Sequence, residues 1–554
     1  MPLPTISSPW PPDEIIPAYI KMQEWAAWYS GEPARLADFY AGDHLYRLHM
    51  PQQGSGVGFI GTHHRDQKWR FWSRAREVTE GKQKAMFHVP VASDLAGVSA
   101  SLLFGDPPIV RIKNAHDTTA ATGTQETETR MIELLEMNDG ISKLVEAAEA
   151  SAAIGGVYIY PAWDKNVRPW PFITYAQSDQ AVPTFSYGYL TAVTFHRILE
   201  MDGERVWRHL ECHEVVGGKA QITHGLYYGT RITLGEQRPM TSRTETKDLQ
   251  SFVQLPFDEL DVEYIPNIRP NRLWRSSGLG VADIQGSEIM LDAVDETYAS
   301  WMRDIRLAKA RIIVPQEFLE VDYAGRSSFD VDQEIYAPLS IEPSLDTGGR
   351  SMMAHQFQIR FNEHRETVTD LIRRIVSNAG YSLTTTGQGY GAEEPRVSTA
   401  SGLRIAEHKT ILTLRKKGSF WKRPVENVLE KMMIIDKEMF DGTCEPMRPT
   451  LVINSSIAGE PLEMAQTVLA MKSAESASIE TRVRTLHAEW NEDEIQAEVK
   501  RIKDDQPAPP QIIGAKPFGA PHTDPASTGN LPTTLPGKAP TNAPPMPAPM
   551  AKKA

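Results

Sequence analysis

The sequence predicts an α+β protein in which helical regions flank an antiparallel β region. Between Gly155 and Pro266, apolar and polar residues alternate with a period of two, which is typical of half-buried strands. Two long segments, 278–315 and 353–379, instead repeat their apolar residues at helical spacing. Helices come first, strands next and helices again, and this order favours segregated rather than alternating elements.

Length and composition indicate a large chain with more than one domain. It has 554 residues, of which 41% are hydrophobic and 23% charged, as is ordinary for a soluble protein. It has no apolar run long enough to cross a bilayer, and its N-terminus lacks the basic start and apolar core of a signal peptide. Cys212 and Cys444 lie far apart, which argues against a disulfide framework and favours a reducing compartment.

The formal net charge of −13 limits the modes of DNA contact. A protein that grips DNA by its phosphates is usually basic where it makes contact. The composition therefore argues against a sequence-reading DNA binder. It is compatible with a surface along which DNA slides, because like charges prevent sticking.

The first 153 residues are predicted to be largely helical. Apolar spacing indicates helices over 15–28 and 34–40. A helix, a Gly-Asp-Pro-Pro stop and a strand follow over 88–113, and 129–153 contains two helices broken at 138–140.

The β region contains two clear turn signals and one candidate metal site. Residues 201–204 and Gly217-Gly218 are predicted hairpin turns. Strand alternation places His209, Glu211 and His213 on one face, where three ligands could hold a catalytic zinc ion. A polar outer strand face is the simpler interpretation, so no metal and no cofactor are expected.

The segment 278–315 is predicted to form one helix, about 45 Å long over thirty residues. Its apolar stripe consists of Ile284, Leu291, Tyr298, Ile305 and Ile312, with Val294, Trp301 and Ala308 beside them. An acidic flank of Glu288, Asp292, Asp295 and Glu296 precedes the basic residues Arg303, Arg306 and Arg311. Such a stripe needs a partner surface of similar length, in this chain or in a neighbouring subunit.

The remaining chain is predicted from similar signals. A short strand-like unit spans 316–350, the second long helix ends at Gly380, and 382–398 is a glycine-rich loop. A helix over 399–437 carries a basic run, which is either a solvated face or a contact for DNA or an acidic subunit. A strand at 448–453 and helices over 460–504 precede a proline-rich tail, 505–554, that is predicted to be disordered.

Five long stretches resemble the portal proteins of tailed double-stranded DNA phages, in the branch found in siphophages of actinobacteria. They are 89–108, 147–164, 267–286, 291–315 and 399–417, which include VPVASDLAGVSASLLFGDPP and LDAVDETYASWMRDIRLAKARIIVP. The resemblance covers about residues 15–503. It contains no catalytic motif, so it implies a fold and an assembly rather than a reaction.

The resemblance implies a portal-protein fold assembled as a ring, with named segments. These are a wing (1–277), stem helix 1 (278–310), a clip (311–352), stem helix 2 (353–381), a tunnel loop (382–398), a helix and strand returning to the wing (399–456), crown helices (457–504) and the tail (505–554).

The implied function is a ring of twelve subunits at one capsid vertex of the virion. DNA is packaged and ejected through its channel, and the large terminase subunit and head-completion or adaptor proteins dock on it. Major capsid and scaffolding proteins are further implied partners. DNA is bound without sequence specificity, synthesis is in the host cytoplasm, and no membrane is involved. No enzymatic activity is expected, and the sequence has no GxxxxGK[S/T] phosphate-binding motif.

Three sets of residues are assigned to this function. The channel-lining candidates are Glu288, Asp292, Asp295, Glu296 and Arg303. The stem-packing candidates are Ile284, Leu291, Val294, Tyr298, Trp301 and Ile305. The tunnel-loop candidates are Thr384, Thr385, Thr386, Gly387, Gln388, Gly389, Tyr390 and Gly391.

Two other functions remain open. One is a metal-dependent hydrolase that uses His209, Glu211 and His213. The other is a capsid assembly protein without a DNA channel.

Overall fold

In the computed structural model, helices come first and last along the chain, and antiparallel sheets lie between them in sequence. It describes residues 3–4, 8–41, 70–72, 86–112, 122–308, 311–313, 320–321, 327–328, 353–355, 359–385, 400–440, 442–453, 461–487, 490 and 492–505. The chain divides into two units, Met1–Val499 and Lys500–Ala554. The predicted mixture of α and β structure is confirmed. No helix among the described residues is both long and apolar enough to cross a bilayer.

The described residues of the N-terminal part are mainly helical, as predicted. Its helices are α1 (Ile16–Ser30), α2 (Pro33–Ala41), α3 (Val91–Phe104), α4 (Thr122–Met137) and α5 (Gly140–Ile154), with strand β1 (Ile109–Arg111) between α3 and α4. Helix α5 ends at Gly155, whose φ of +100° is left-handed. A Cβ at Gly155 would lie 3.0 Å from the Val281 backbone. Glycine is therefore needed there for both conformation and space.

Two antiparallel sheets form the predicted β region. Strands β2 (Gly156–Ala162), β3 (Phe172–Gln177) and β10 (Glu263–Pro266) pair in the order β10-β2-β3. A larger sheet has the order β4-β5-β6-β7-β8, and β9 also pairs with β7. Its strands are β4 (Ala181–Ser186), β5 (Tyr189–Asp202), β6 (Arg205–Val216), β7 (Lys219–Thr230), β8 (Glu236–Arg238) and β9 (Phe252–Gln254). Both predicted hairpin turns are confirmed, with left-handed Gly203, Gly217 and Gly218.

The first long helix is shorter than predicted. Helix α6 spans Glu288–Leu307, about 30 Å at 1.5 Å per residue. Residues 278–287 are irregular, because the Asp283 amide bonds to the carbonyl of Ala152 and Gly286 adopts a left-handed φ of +82°. Ile284 thus lies before the helix, and Ile312 lies in a strand after it. The prediction of one helix over 278–315 was wrong at both ends.

The second long helix begins later than predicted. Helix α7 spans Phe361–Ala379 and ends at Gly380 as expected, with φ +94°. Residues 353–355, predicted as helix, form β14 (Met353–His355), which pairs antiparallel with β11 (Arg311–Ile313). A further strand pair is β12 (Glu320–Val321) with β13 (Ser327–Ser328). The rest of the predicted clip lies outside the described residues.

The C-terminal part returns to the N-terminal part. Helix α8 (Ala400–Met439) is followed by β15 (Thr450–Val452), which pairs antiparallel with β1. Helices α9 (Pro461–Ser473), α10 (Ile479–Leu486) and α11 (Glu492–Asp504) follow. Buried side chains of α8, including Trp421 and Val428, share one core with residues of α3, α4, α5 and β2. The predicted disordered tail lies, beyond Asp505, outside the described residues.

Candidate functional site: the antiparallel pair of helices α6 and α7

Helices α6 and α7 run antiparallel and are joined at both ends by polar contacts. At one end the Asn378 side-chain amide donates to Ser287 Oγ at 2.8 Å. At the other end Asp304 accepts from Arg360 Nε at 3.0 Å and lies 3.0 Å from His364 Nε2. Trp301 stacks on His364 with an interplanar angle of 11°. The chain therefore runs in one direction along α6 and in the opposite direction along α7.

The first half of α6 is covered by the N-terminal helices. Glu288 accepts a hydrogen bond from Trp25 Nε1 at 3.0 Å and pairs with Lys21 Nζ at 2.6 Å. Lys21 also pairs with Glu24 at 2.6 Å. These contacts fix α1 on the start of α6, since a buried carboxylate is stable only when it is paired and hydrogen-bonded.

The next two acids of α6 bind a different part of the chain. Asp292 accepts from the Phe71 amide at 2.8 Å, and burial raises the pKa of this carboxyl. Asp295 accepts from Trp72 Nε1 at 3.0 Å and lies 2.8 Å from His88 Nδ1. Both aspartates thus serve as anchors for segments 70–72 and 86–89.

This placement corrects the expected acidic flank. Glu288, Asp292 and Asp295 are only 5%, 7% and 1% exposed, so they neither solvate the helix nor face a channel. A polar flank reaches solvent only where no other element covers it, and here the N-terminal segments do. Glu296 and Arg303 have exposed side chains. Their role in lining a channel stays a prediction.

The predicted packing stripe divides into two parts. Ile284, Leu291 and Val294 are buried within this chain. Tyr298 and Trp301 are half-buried, and Ile305 is 40% exposed. Other exposed large apolar residues on the helix pair or next to it are Ile289, Leu307, Ile359 and Phe361. The second half of the stripe therefore leaves apolar surface that the described part of the chain does not cover.

The described part of the predicted tunnel loop is its beginning. The Thr384 side chain is exposed, and Thr385 Oγ1 lies 2.9 Å from Thr410 Oγ1 on α8. Thr386, Gly387, Gln388, Gly389, Tyr390 and Gly391 lie outside the described residues.

A buried ion pair beside the helix pair was missed from sequence. Lys417 of α8 contacts both carboxylate oxygens of Asp283, at 2.7 and 2.8 Å. It also donates to Ser99 Oγ and Tyr381 OH, each at 2.8 Å. Burial lowers the pKa of the Lys417 amine, against the attraction of Asp283.

A signal for this pair exists in the sequence. Leu414, Lys417 and Trp421 follow the spacing i, i+3, i+7, which places all three on one helix face. Leu414 and Trp421 are buried. A lysine in register with an apolar stripe indicates a buried charge, although Lys417 also belongs to the basic run of the predicted helix 399–437.

The predicted histidine cluster of β6 is rearranged. His209 Nε2 lies 3.1 Å from His224 Nδ1 of β7, whereas His213 Nδ1 lies 2.7 Å from Asp261. Burial lowers the pKa of His209 to about 4 and also lowers that of His224. His209 and Glu211 thus meet His224, whereas His213 lies between Glu211 and Asp261.

No family model and no curated protein matches the chain. Solved structures are similar in part of their backbone. The virion of a native gene transfer agent particle contains a chain with 12% identity and a TM-score of 0.39, covering 73% of this chain and 91% of that one. A chain in the neck of an empty gene transfer agent particle, computed with C6 symmetry, has 13% identity and a TM-score of 0.40, and the match covers 72% of this chain and 90% of that one. A chain in the neck of the native particle, computed with C12 symmetry, has 12% identity and a TM-score of 0.34, and the match covers 68% of this chain and 94% of that one.

Proposed function

We propose that this chain is a phage portal protein. Twelve copies form a ring at the unique capsid vertex, and double-stranded DNA is packaged and ejected through its channel. The observation that carries the proposal is the antiparallel pair α6–α7, which lies in a region of the chain that resembles portal stems. In this assembly the large terminase subunit and a head-completion or adaptor protein dock on the ring.

The helix pair has the geometry that a channel wall requires. It carries the chain outward and back over about 30 Å. Antiparallel pairing of β11 with β14 joins the segments next to the far ends of the helices. Copies arranged around an axis would place one such pair per subunit along a central hole.

Exposed apolar residues on the pair supply a contact for neighbouring copies. Ile289 is 71% exposed and Ile305 is 40% exposed on α6. Burying apolar surface stabilises association by about 25 cal/mol for each Å² removed from water. A ring of copies covers this surface by repeating one heterologous contact until the ring closes.

Exposed charged side chains on α6 would contribute to the electrostatic potential inside such a channel. With three acids buried, Glu296 and Arg303 are the exposed members of the predicted set. The net charge of −13 per chain disfavours tight binding of phosphates. DNA would therefore move through the ring rather than adhere to it.

Assembly of the purified full-length chain tests the proposal. Mass photometry and negative-stain class averages are expected to show closed rings with a central hole and a mass near twelve subunits. Ile289→Glu and Ile305→Glu should each shift the population towards smaller species, because a charge cannot be buried in an apolar contact. Val167→Glu, at a site 66% exposed outside the helix pair, is the matched control.

The other outcomes separate the alternatives. Open assemblies without a hole would favour a capsid assembly protein that has no channel. Compact dimers or tetramers, or monomers at every concentration, would contradict a ring built by this chain. Loss of assembly in Val167→Glu equal to that in Ile289→Glu would remove the helix pair as the basis of the contact.

A further inference from the structure

Strand register brings three metal-binding residue types to one face of the large sheet. Alternation along β6 places His209 and Glu211 on the same face. The β6–β7 hairpin pairs Glu211 directly with His224. Two imidazoles and one carboxylate therefore meet across one strand pair, well away from α6 and α7 in sequence.

The distances between these groups suit a single ion. His209 Nε2 and His224 Nδ1 are 3.1 Å apart, and the rings are nearly parallel at 15°. Two nitrogens that bind one tetrahedral zinc ion at 2.0–2.1 Å lie about 3.3 Å apart. One ligand atom from each of the three residues lies within 4.8 Å of the others.

A second layer of hydrogen bonds holds the carboxylate in place. His213 Nε2 lies 3.0 Å from Glu211 Oε1, and His213 Nδ1 lies 2.7 Å from Asp261 Oδ2. Such outer contacts orient metal ligands in known sites. The Glu211 side chain is 26% exposed, so an ion and a water molecule can reach it from solvent.

We propose that His209, His224 and Glu211 form a site for a divalent transition metal of the zinc class. Nitrogen and oxygen ligands of this kind suit Zn²⁺, and three protein ligands leave a fourth position for water. The ion replaces the hydrogen bond between the two imidazoles and fastens β6 to β7. This inference is independent of the proposed portal function. It goes against the expectation of no metal, and it differs from the candidate set His209, Glu211 and His213 because His224 takes the place of His213.

Equilibrium dialysis of the full-length chain against Zn²⁺, followed by elemental analysis, tests the site. The unmodified chain should retain about one equivalent per chain at micromolar free Zn²⁺ and show visible d–d bands when Co²⁺ is used instead. His224→Gln and Glu211→Gln should each weaken binding at least about tenfold. His408→Gln, an exposed histidine on α8, is the control and should bind as the unmodified chain does.

Circular dichroism of each variant without metal separates lost binding from lost folding. If Glu211→Gln unfolds, His224→Gln decides the result. Retention of less than about a tenth of an equivalent by the unmodified chain at micromolar free Zn²⁺ would overturn the site. Equal binding by His224→Gln and the unmodified chain would also overturn it.

Discussion

At the scale of single residues, buried charges lie where distant parts of the chain meet. Lys417 and Asp283 are each about 2% exposed at the side chain and join α8 to the segment before α6. Lys417 also donates to Ser99 of α3 and to Tyr381, which follows α7. The pair thus fixes the base of the helix pair on the N-terminal part. Removing one partner of such a pair leaves an uncompensated buried charge.

Replacing Lys417 should be costly. Lys417→Met is expected to lower the free energy of unfolding by about 3–5 kcal/mol, because Asp283 loses its buried cation. The midpoint of urea-induced unfolding, followed by tryptophan fluorescence, measures this change. Lys416→Met removes an exposed neighbour and should change stability by less than about 0.5 kcal/mol. Equal effects of the two substitutions would contradict the buried pair.

The Lys21–Glu24 pair should make stability depend on pH in the acid range. Burial acts to raise the pKa of Glu24, but the Lys21 cation, the Tyr40 hydroxyl and the Arg70 cation together outweigh burial and hold that pKa below its usual range. The pair therefore stabilises the fold above about pH 4.5 and loses this contribution as pH falls through the lowered pKa.

Glu24→Gln provides the measurement. Between pH 5 and the onset of acid unfolding, the thermal midpoint of this variant should fall less steeply than that of the unmodified chain, because it has no carboxylate to protonate at this position. Glu32→Gln, an exposed residue in the turn after α1, should leave the slope unchanged. A steeper slope in Glu24→Gln would contradict the direction of the shift.

At the scale of elements, α6 shows that an acidic helix flank can be an anchoring surface. Its carboxylates bind segments 70–72 and 86–89, more than two hundred residues earlier in the chain. The helix therefore positions the N-terminal part as well as α7. Its exposed charges begin at Glu296, one residue after the last anchor.

Asp295→Ala tests the anchoring. It should lower the free energy of unfolding by about 3 kcal/mol, because Trp72 Nε1 and the Val89 amide would lose their buried acceptor. Hydrogen–deuterium exchange in 86–89 should increase. Glu296→Ala changes the adjacent exposed residue and should stay within about 0.5 kcal/mol of the unmodified chain. Faster exchange in both variants would argue against a specific role for Asp295.

Local signals predicted much of the fold. Hairpin glycines set the turns of the large sheet, and Gly380 ended α7, because both depend on neighbouring residues alone. The hairpin at Gly217-Gly218 also determines that His224 lies opposite Glu211, because residues on either side of the turn pair in order. The start of α6 was not predictable in this way, because Ala152 and Lys417 hold Asp283 outside the helix.

At the scale of the whole molecule, the proposed assembly depends on the apolar side chains of α6 that stay exposed in a single chain. In one chain, Leu291 and Val294 of the first half of α6 are buried in the core, whereas Ile305 on the second half is exposed. A surface of this kind needs a partner. In the proposed ring, that partner is the next copy of the chain.

Charge reversal inside the proposed channel should change DNA binding. Assembled rings of Glu296→Lys should bind linear double-stranded DNA about tenfold more tightly at low salt, and the gain should disappear as salt increases. Fluorescence anisotropy with labelled DNA measures this. Glu259→Lys makes the same change of charge at an exposed position in the β region. An equal gain in both variants would show a general charge effect and no special position for Glu296.

The pairing of β1 with β15 also sets an order in time. About 340 residues separate the two strands, and a ribosome adding 5–20 residues each second needs between about 17 and 70 seconds to make them. Throughout that interval β1 lacks the strand that pairs with it in the finished fold. The N-terminal part therefore reaches its final form only after Thr450–Val452 has been synthesised, and a chain interrupted before Thr450 would present an open strand edge to other nascent chains.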